Sequence, residues 1–122
     1  MPIVTVELVV DLDRAVERSL TQTLADTVGR VLGSPPGHAW IRLRLLPRDG
    51  YAENDSLVDA ARLPVFVDVL ERQPPVGAEL QAAITALTDA IAQVLGRPAD
   101  CVHVLYAPPA VDRVSFGGKL VQ

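Results

Sequence analysis

Apolar residues recur along this chain in two rhythms, one suited to strands and one to helices, and the same order is run through twice. The run Ile3–Val10 reads as a strand. From about Arg14 to Leu32, Val16, Leu20, Leu24, Val28 and Val31/Leu32 fall at helical spacing, and a second apolar segment, Trp40–Leu46, follows. Gly33 stops the helix and Pro35-Pro36-Gly37 makes the turn. Later, Pro64–Leu70 and Cys101–Tyr106 flank a helical stretch from about Val76 to Leu95, striped by Leu80, Ile84, Leu87, Ile91 and Val94/Leu95 and stopped by Gly96 and Pro98. Leu24 aligns with Leu87, Asp26 with Asp89, Val28 with Ile91, and Val31-Leu32-Gly33 with Val94-Leu95-Gly96. Such a run of matches points to a duplication.

The pattern predicts an α+β fold built from tandem β-α-β repeats. Parallel strands joined by right-handed crossover helices pair edge to edge into one four-stranded sheet with both helices on one face. Residues 1–122 then form a single domain, with repeats at about 1–50 and 63–122 and a polar link near 51–62. The uncovered face, expected to carry Val and Leu, calls for another subunit. Thr5, Glu7, Arg42 and Arg44 interrupt that apolar character. The tail from Ala107 to Gln122, with Gly117-Gly118, reads as a turn and a short strand able to reach a neighbour.

Composition narrows the class. Of the 122 residues 49% are hydrophobic and only 4% aromatic, so the core must be aliphatic. A net charge of −4 without a basic run argues against nucleic acid. The single Cys101 builds neither an internal disulfide nor a metal site, so no metal is expected. Glu7 and Asp11 interrupt the first apolar stretch, which excludes a signal peptide or membrane span and points to a cytoplasmic protein. All but one of the 11 basic residues are Arg, the cation best suited to gripping carboxylates in partly buried sites.

The candidate chemistry begins at Pro2, at the head of the first strand. Removal of Met1 would leave a secondary amine anchored to that strand. An α-amino group ordinarily titrates at about 7.7–8.0. Apolar surroundings or neighbouring cations lower that value and leave a neutral amine able to act as a general base. A proline here also suits the first residue of an edge strand.

Taken together, the Met-Pro-Ile-Val opening, Val-Leu-Gly-Ser-Pro-Pro at 31–36, the strand Trp40-Ile41-Arg42-Leu43 and the closing Phe116-Gly117-Gly118-Lys119-Leu120 resemble the tautomerase superfamily. The resemblance is to its fused, tandem 4-oxalocrotonate tautomerase form, within the tautomerase/MIF-like fold. It implies a β-α-β-β-α-β subunit, a homotrimer, and an N-terminal proline acting as base or acid without cofactor or metal. The implied reaction moves a proton between enol and keto forms of small unsaturated 2-oxo acids, with arginines holding the carboxylates.

Carried onto this chain, the resemblance makes Pro2 the catalytic residue, conditional on loss of Met1. Arg42 aligns with the substrate-binding arginine of the second strand, and Arg44, two residues on, shares its face. Tyr51 falls near the position of a pocket aromatic. Arg72 lies near the second-repeat counterpart of a further arginine, whose first-repeat position falls near Leu12, with Arg14 the nearest cation. His103 stands where Arg42 stands in the first repeat. Pro64 or Leu63, depending on strand phase, matches Pro2, and an internal proline has no amine to titrate. The expected partner is a small carboxylate substrate. Alternatives are a catalytically impaired trimer with a binding or structural role, a decarboxylase or hydratase-dehalogenase of the same superfamily, and a dimeric ferredoxin-like regulator.

Overall fold

The computed structural model describes residues 2–11 and 19–122. Alternation in Ile3–Val10 makes a strand, β1, whose Val4, Val6 and Leu8 are buried on one face. The helix α1, Leu20–Val31, lays Leu24 and Val28 against them. Its expected beginning near Arg14 lies outside the described residues. Strand β2 is Trp40–Pro47, β3 is Val65–Leu70, helix α2 is Gly77–Leu95 and β4 is Val102–Tyr106. The sheet order is β2-β1-β3-β4: β1 runs parallel to β2, β3 parallel to β4, and the two central strands are antiparallel. The α+β architecture with two helices is the one the hydrophobic pattern predicts.

Both helices end alike. Gly33 and Gly96 adopt left-handed backbone, with φ of 66° and 64°. There the amides of Ser34 and Arg97 return to Gly29 and Ala92 oxygens. Glycine suits this ending because a Cβ would oppose the left-handed conformation.

The core is the space between the helices and one sheet face. Val65, Val67 and Val69 of β3 join Val4 and Val6 there, all fully buried beneath Leu24, Val28, Leu87 and Ile91. As expected, the face turned away from the helices carries Val and Leu, at Val9, Leu46, Leu70 and Leu105, interrupted by polar side chains. Side chains alternate across a strand, so with Val4, Val6 and the valines of β3 turned to the helices the other face takes Thr5, Glu7, Arg42, Arg44, Asp68 and His103 among its apolar residues. Leu105 on that face remains 61% exposed. The bare face is a mixed one.

The C-terminal residues form the expected turn at Gly117-Gly118, with a short strand on each side of it. Ser115–Phe116 and Lys119–Leu120 pair as a hairpin, β5 and β6, which folds back on its own chain. Phe116 meets Trp40 edge to face at 5.2 Å, and the Asp112 amide donates to Val121 O at 2.7 Å. No helix among the described residues is long and apolar enough to cross a membrane.

Leu87 is fully buried at the centre of this core. Leu87→Ala is expected to lower the unfolding free energy by about 2–5 kcal/mol, measured by denaturant titration at fixed protein concentration.

Candidate active site

Because β1 begins at Ile3 between two partners, Pro2 is held at the very end of the sheet. Its carbonyl accepts the Trp40 amide at 3.0 Å, and its ring is buried. It lies in phase with Val4 and Val6, on the helix side. A cavity of about 350 Å³ opens there. Pro2 forms one wall, the Gly33–Pro35 turn after α1 and His38 a second, and Glu71, Arg72 and Gln73, just after β3, the third.

The C-terminal segment braces that third wall. Ala110 N donates to Glu71 O at 2.9 Å and Val111 N to Arg72 O at 3.3 Å. The Arg72 guanidinium donates through Nε to Gln122 O at 2.6 Å. Burial pushes the Glu71 carboxyl above the usual carboxylate range. Tyr106, at the end of β4, is pushed up to about 12, first by burial and then by the charge of Glu71. Its hydroxyl is buried and has no hydrogen-bond partner among the described residues.

The remaining sequence-derived candidates do not gather around Pro2 within one protomer. Arg42 donates from Nε and Nη2 to Thr5 Oγ1 at 3.2 and 3.0 Å, on the helix-free face. Arg44 shares that face, level with Glu7 in the β1–β2 register. Tyr51 follows β2, at the opposite end of the sheet from Pro2. There it stacks on Phe66 at 5.9 Å, and Phe66 in turn on His103 at 5.7 Å. The Tyr51 hydroxyl donates to Glu53 at 2.8 Å. Among the described residues, Arg72 is the one proposed arginine that shares the Pro2 cavity. The positions near Leu12 and Arg14 lie outside the described residues, as does Met1.

The second half of the chain has a matching cavity, about 320 Å³, beside Leu63 and Gly96. Leu63 is in phase with Val65 and Val67, so it, rather than Pro64, is the counterpart of Pro2. Where the first half has Ser34 after its helix, the second has Arg97. The Arg97 guanidinium donates to Leu63 O at 2.6 Å and Val9 O at 2.9 Å. Arg97 thus ties Val9, near the end of β1, to Leu63, just before β3. Among the described residues no cluster of His, Cys, Asp and Glu is suited to hold a metal ion.

Sequence reasoning missed Glu71, which lines the Pro2 cavity. An acidic residue at a strand end reads as solvated. Its position opposite Pro2 follows from the antiparallel register of β1 and β3, which periodicity cannot supply.

No family model and no curated protein matches this chain. Solved structures do. The wild-type F6 fused 4-OT, described as an asymmetric trimer, is 25% identical, with a TM-score of 0.70 over 95% of this chain and 94% of that one. Pt0534, solved after inactivation by 2-oxo-3-pentynoate, is 18% identical with a TM-score of 0.71, covering 98% and 94% of the two chains. A macrophage migration inhibitory factor-like protein from Entamoeba histolytica is 11% identical with a TM-score of 0.71, covering 97% and 96%.

Two outcomes follow from this geometry. Arg97→Ala leaves two buried carbonyls without their charged donor and is expected to destabilise the protein by about 2–3 kcal/mol in denaturant titration. Glu71 binds its proton more tightly in the folded chain than in the unfolded one. Its stabilising contribution is therefore complete below the unfolded pKa, about 4.3, and is lost as pH rises through the higher folded value. Thermal melts across this range are expected to show Glu71→Gln matching the parent at acid pH and exceeding it increasingly towards neutrality.

Proposed function

From the tautomerase fold that this chain carries, we propose that it is a cofactor-independent isomerase whose base is the amine of Pro2 once Met1 has been removed. The observation that supports this most directly is the burial of Pro2 in a cavity it shares with Arg72. A secondary amine held there has lost water, and desolvation favours its neutral, basic form. Pro2 takes a proton from a dienol or enol acid and returns it at another carbon. Arg72 faces the same space and holds a substrate carboxylate, so the negative charge of the dienolate develops beside a guanidinium. The substrate class is a small unsaturated 2-oxo acid.

We further propose a homotrimer in which residues 1–50 and 63–122 are the two halves of one domain. Arg42 and Arg44 point away from the Pro2 cavity of their own protomer. In a trimer they serve the cavity of a neighbour, as do Tyr51 and His103 at the far end of the sheet. Solved trimers among the fused 4-OT structures support this assembly.

Intact-protein mass is expected to be short by one methionine. Pro2→Ala is expected to lower the rate of 2-hydroxymuconate or phenylenolpyruvate ketonisation by roughly 10²-fold or more, followed by ultraviolet absorbance. An unimpaired Pro2→Ala variant would refute the mechanism.

A further inference from the structure

The antiparallel register of β1 and β3 ends at Ile3 opposite Leu70. Carried one residue further, it sets Pro2 opposite Glu71. Each continues the helix-side phase of its strand, Pro2 after Val4 and Glu71 after Val69, and both line the same cavity. Side chains so paired across strands stand roughly 5 Å apart at Cβ. On the neighbouring strand Tyr106 is level with Val69, two residues before Glu71 and in the same phase; its hydroxyl is a buried donor with no protein partner among the described residues, an arrangement that costs free energy unless an acceptor is supplied during function.

We propose that Glu71 is a second catalytic residue, the acid that works opposite Pro2, with the two groups sharing a single proton and Tyr106 positioning the carboxyl. The proposal rests on the assignment of Pro2 as base and revises one step of it: Glu71, rather than Pro2, gives the proton to carbon. In the working form Pro2 is a neutral amine and Glu71 a neutral acid. The Pro2 lone pair takes the enol O–H proton of the substrate. The electron pair released passes through the diene to carbon, and that carbon takes the Glu71 carboxyl proton. Prolinium and carboxylate remain, and proton transfer from one to the other restores the starting pair. Burial, which disfavours both charged groups, drives that return. The titratable and charged groups facing Glu71 are Pro2 from β1, His38 from the segment before β2, Arg72 beside it and Tyr106 from β4.

Such a pair titrates as a unit, and only its one-proton form is active. The wild-type kcat–pH profile is therefore expected to be bell-shaped. Glu71→Gln is expected to lower kcat roughly 10²-fold, to leave KM little changed and to lose the alkaline limb, with Glu71→Asp restoring it. Tyr106→Phe is expected to keep both limbs and to move the alkaline one to higher pH, because the hydroxyl proposed to donate to the carboxylate once it forms is gone. Independently of turnover, alkylation of the Pro2 nitrogen by 2-oxo-3-pentynoate, read by peptide mass, is expected to reach its midpoint at lower pH in Glu71→Gln, which lacks the carboxylate that favours prolinium. A Glu71→Gln variant with wild-type kcat, an intact bell and an unmoved alkylation midpoint would overturn the proposal while leaving Pro2 as base. Full activity in Pro2→Ala, or no alkylation of Pro2 in the wild type, would overturn both.

Discussion

The antiparallel pairing of β1 with β3 is the contact on which the rest of this protein depends. It joins the two β-α-β runs through their central strands, with Val4 level with Val69 and Val6 level with Val67. Those valines make one continuous apolar floor for both helices. Burial of that floor fixes the register, because a slip of one residue would turn every valine to the open face. The same register carries the head of β1 to the tail of β3, so a proline from one end of the chain meets an acid and an arginine from its middle. Core packing and site assembly are consequences of one pairing.

That pairing brings two similar ends into being, and the chain treats them differently. At one, Pro2 and the Gly33–Pro35 turn leave a cavity facing Glu71 and Arg72. At the other, Leu63 replaces the proline and Arg97 binds the carbonyls of Leu63 and Val9. A guanidinium there satisfies two acceptors at once. The two ends thus differ: one holds the Pro2 cavity, and at the other Arg97 joins the start of β3 to the end of β1.

The helix-free face has a different character from the core. Arg42 folds over Thr5, and Phe66 stacks between Tyr51 and His103. Leu105 and Trp40 remain exposed beside the polar positions, and the Trp40 ring meets Phe116 edge to face. A mixed face of this kind gives a partner both apolar area and charged groups to orient it. Its arginines, Arg42 and Arg44, point away from the Pro2 cavity of their own chain.

Much of the fold was legible in the residues themselves. Alternation in Ile3–Val10 and Val65–Leu70, the helical stripes through Leu24 and Leu87, and the glycines after each helix are local signals, since backbone geometry sets their period over a few residues. Pro2 was legible for the same reason: its chemistry resides in one nitrogen. Glu71 was not, because its place in the Pro2 cavity comes from strand register and its raised pKa from the burial that tertiary packing imposes. Nor could sequence alone choose between Leu63 and Pro64, since strand phase is settled by which side chains the helices bury. The sequence by itself determined the elements, their order and the candidate base. Which faces those elements share, and hence that Pro2 meets Glu71 and Arg72 while Arg42 turns away, was decided only by tertiary pairing, because burial energy is realised across strands distant in the chain.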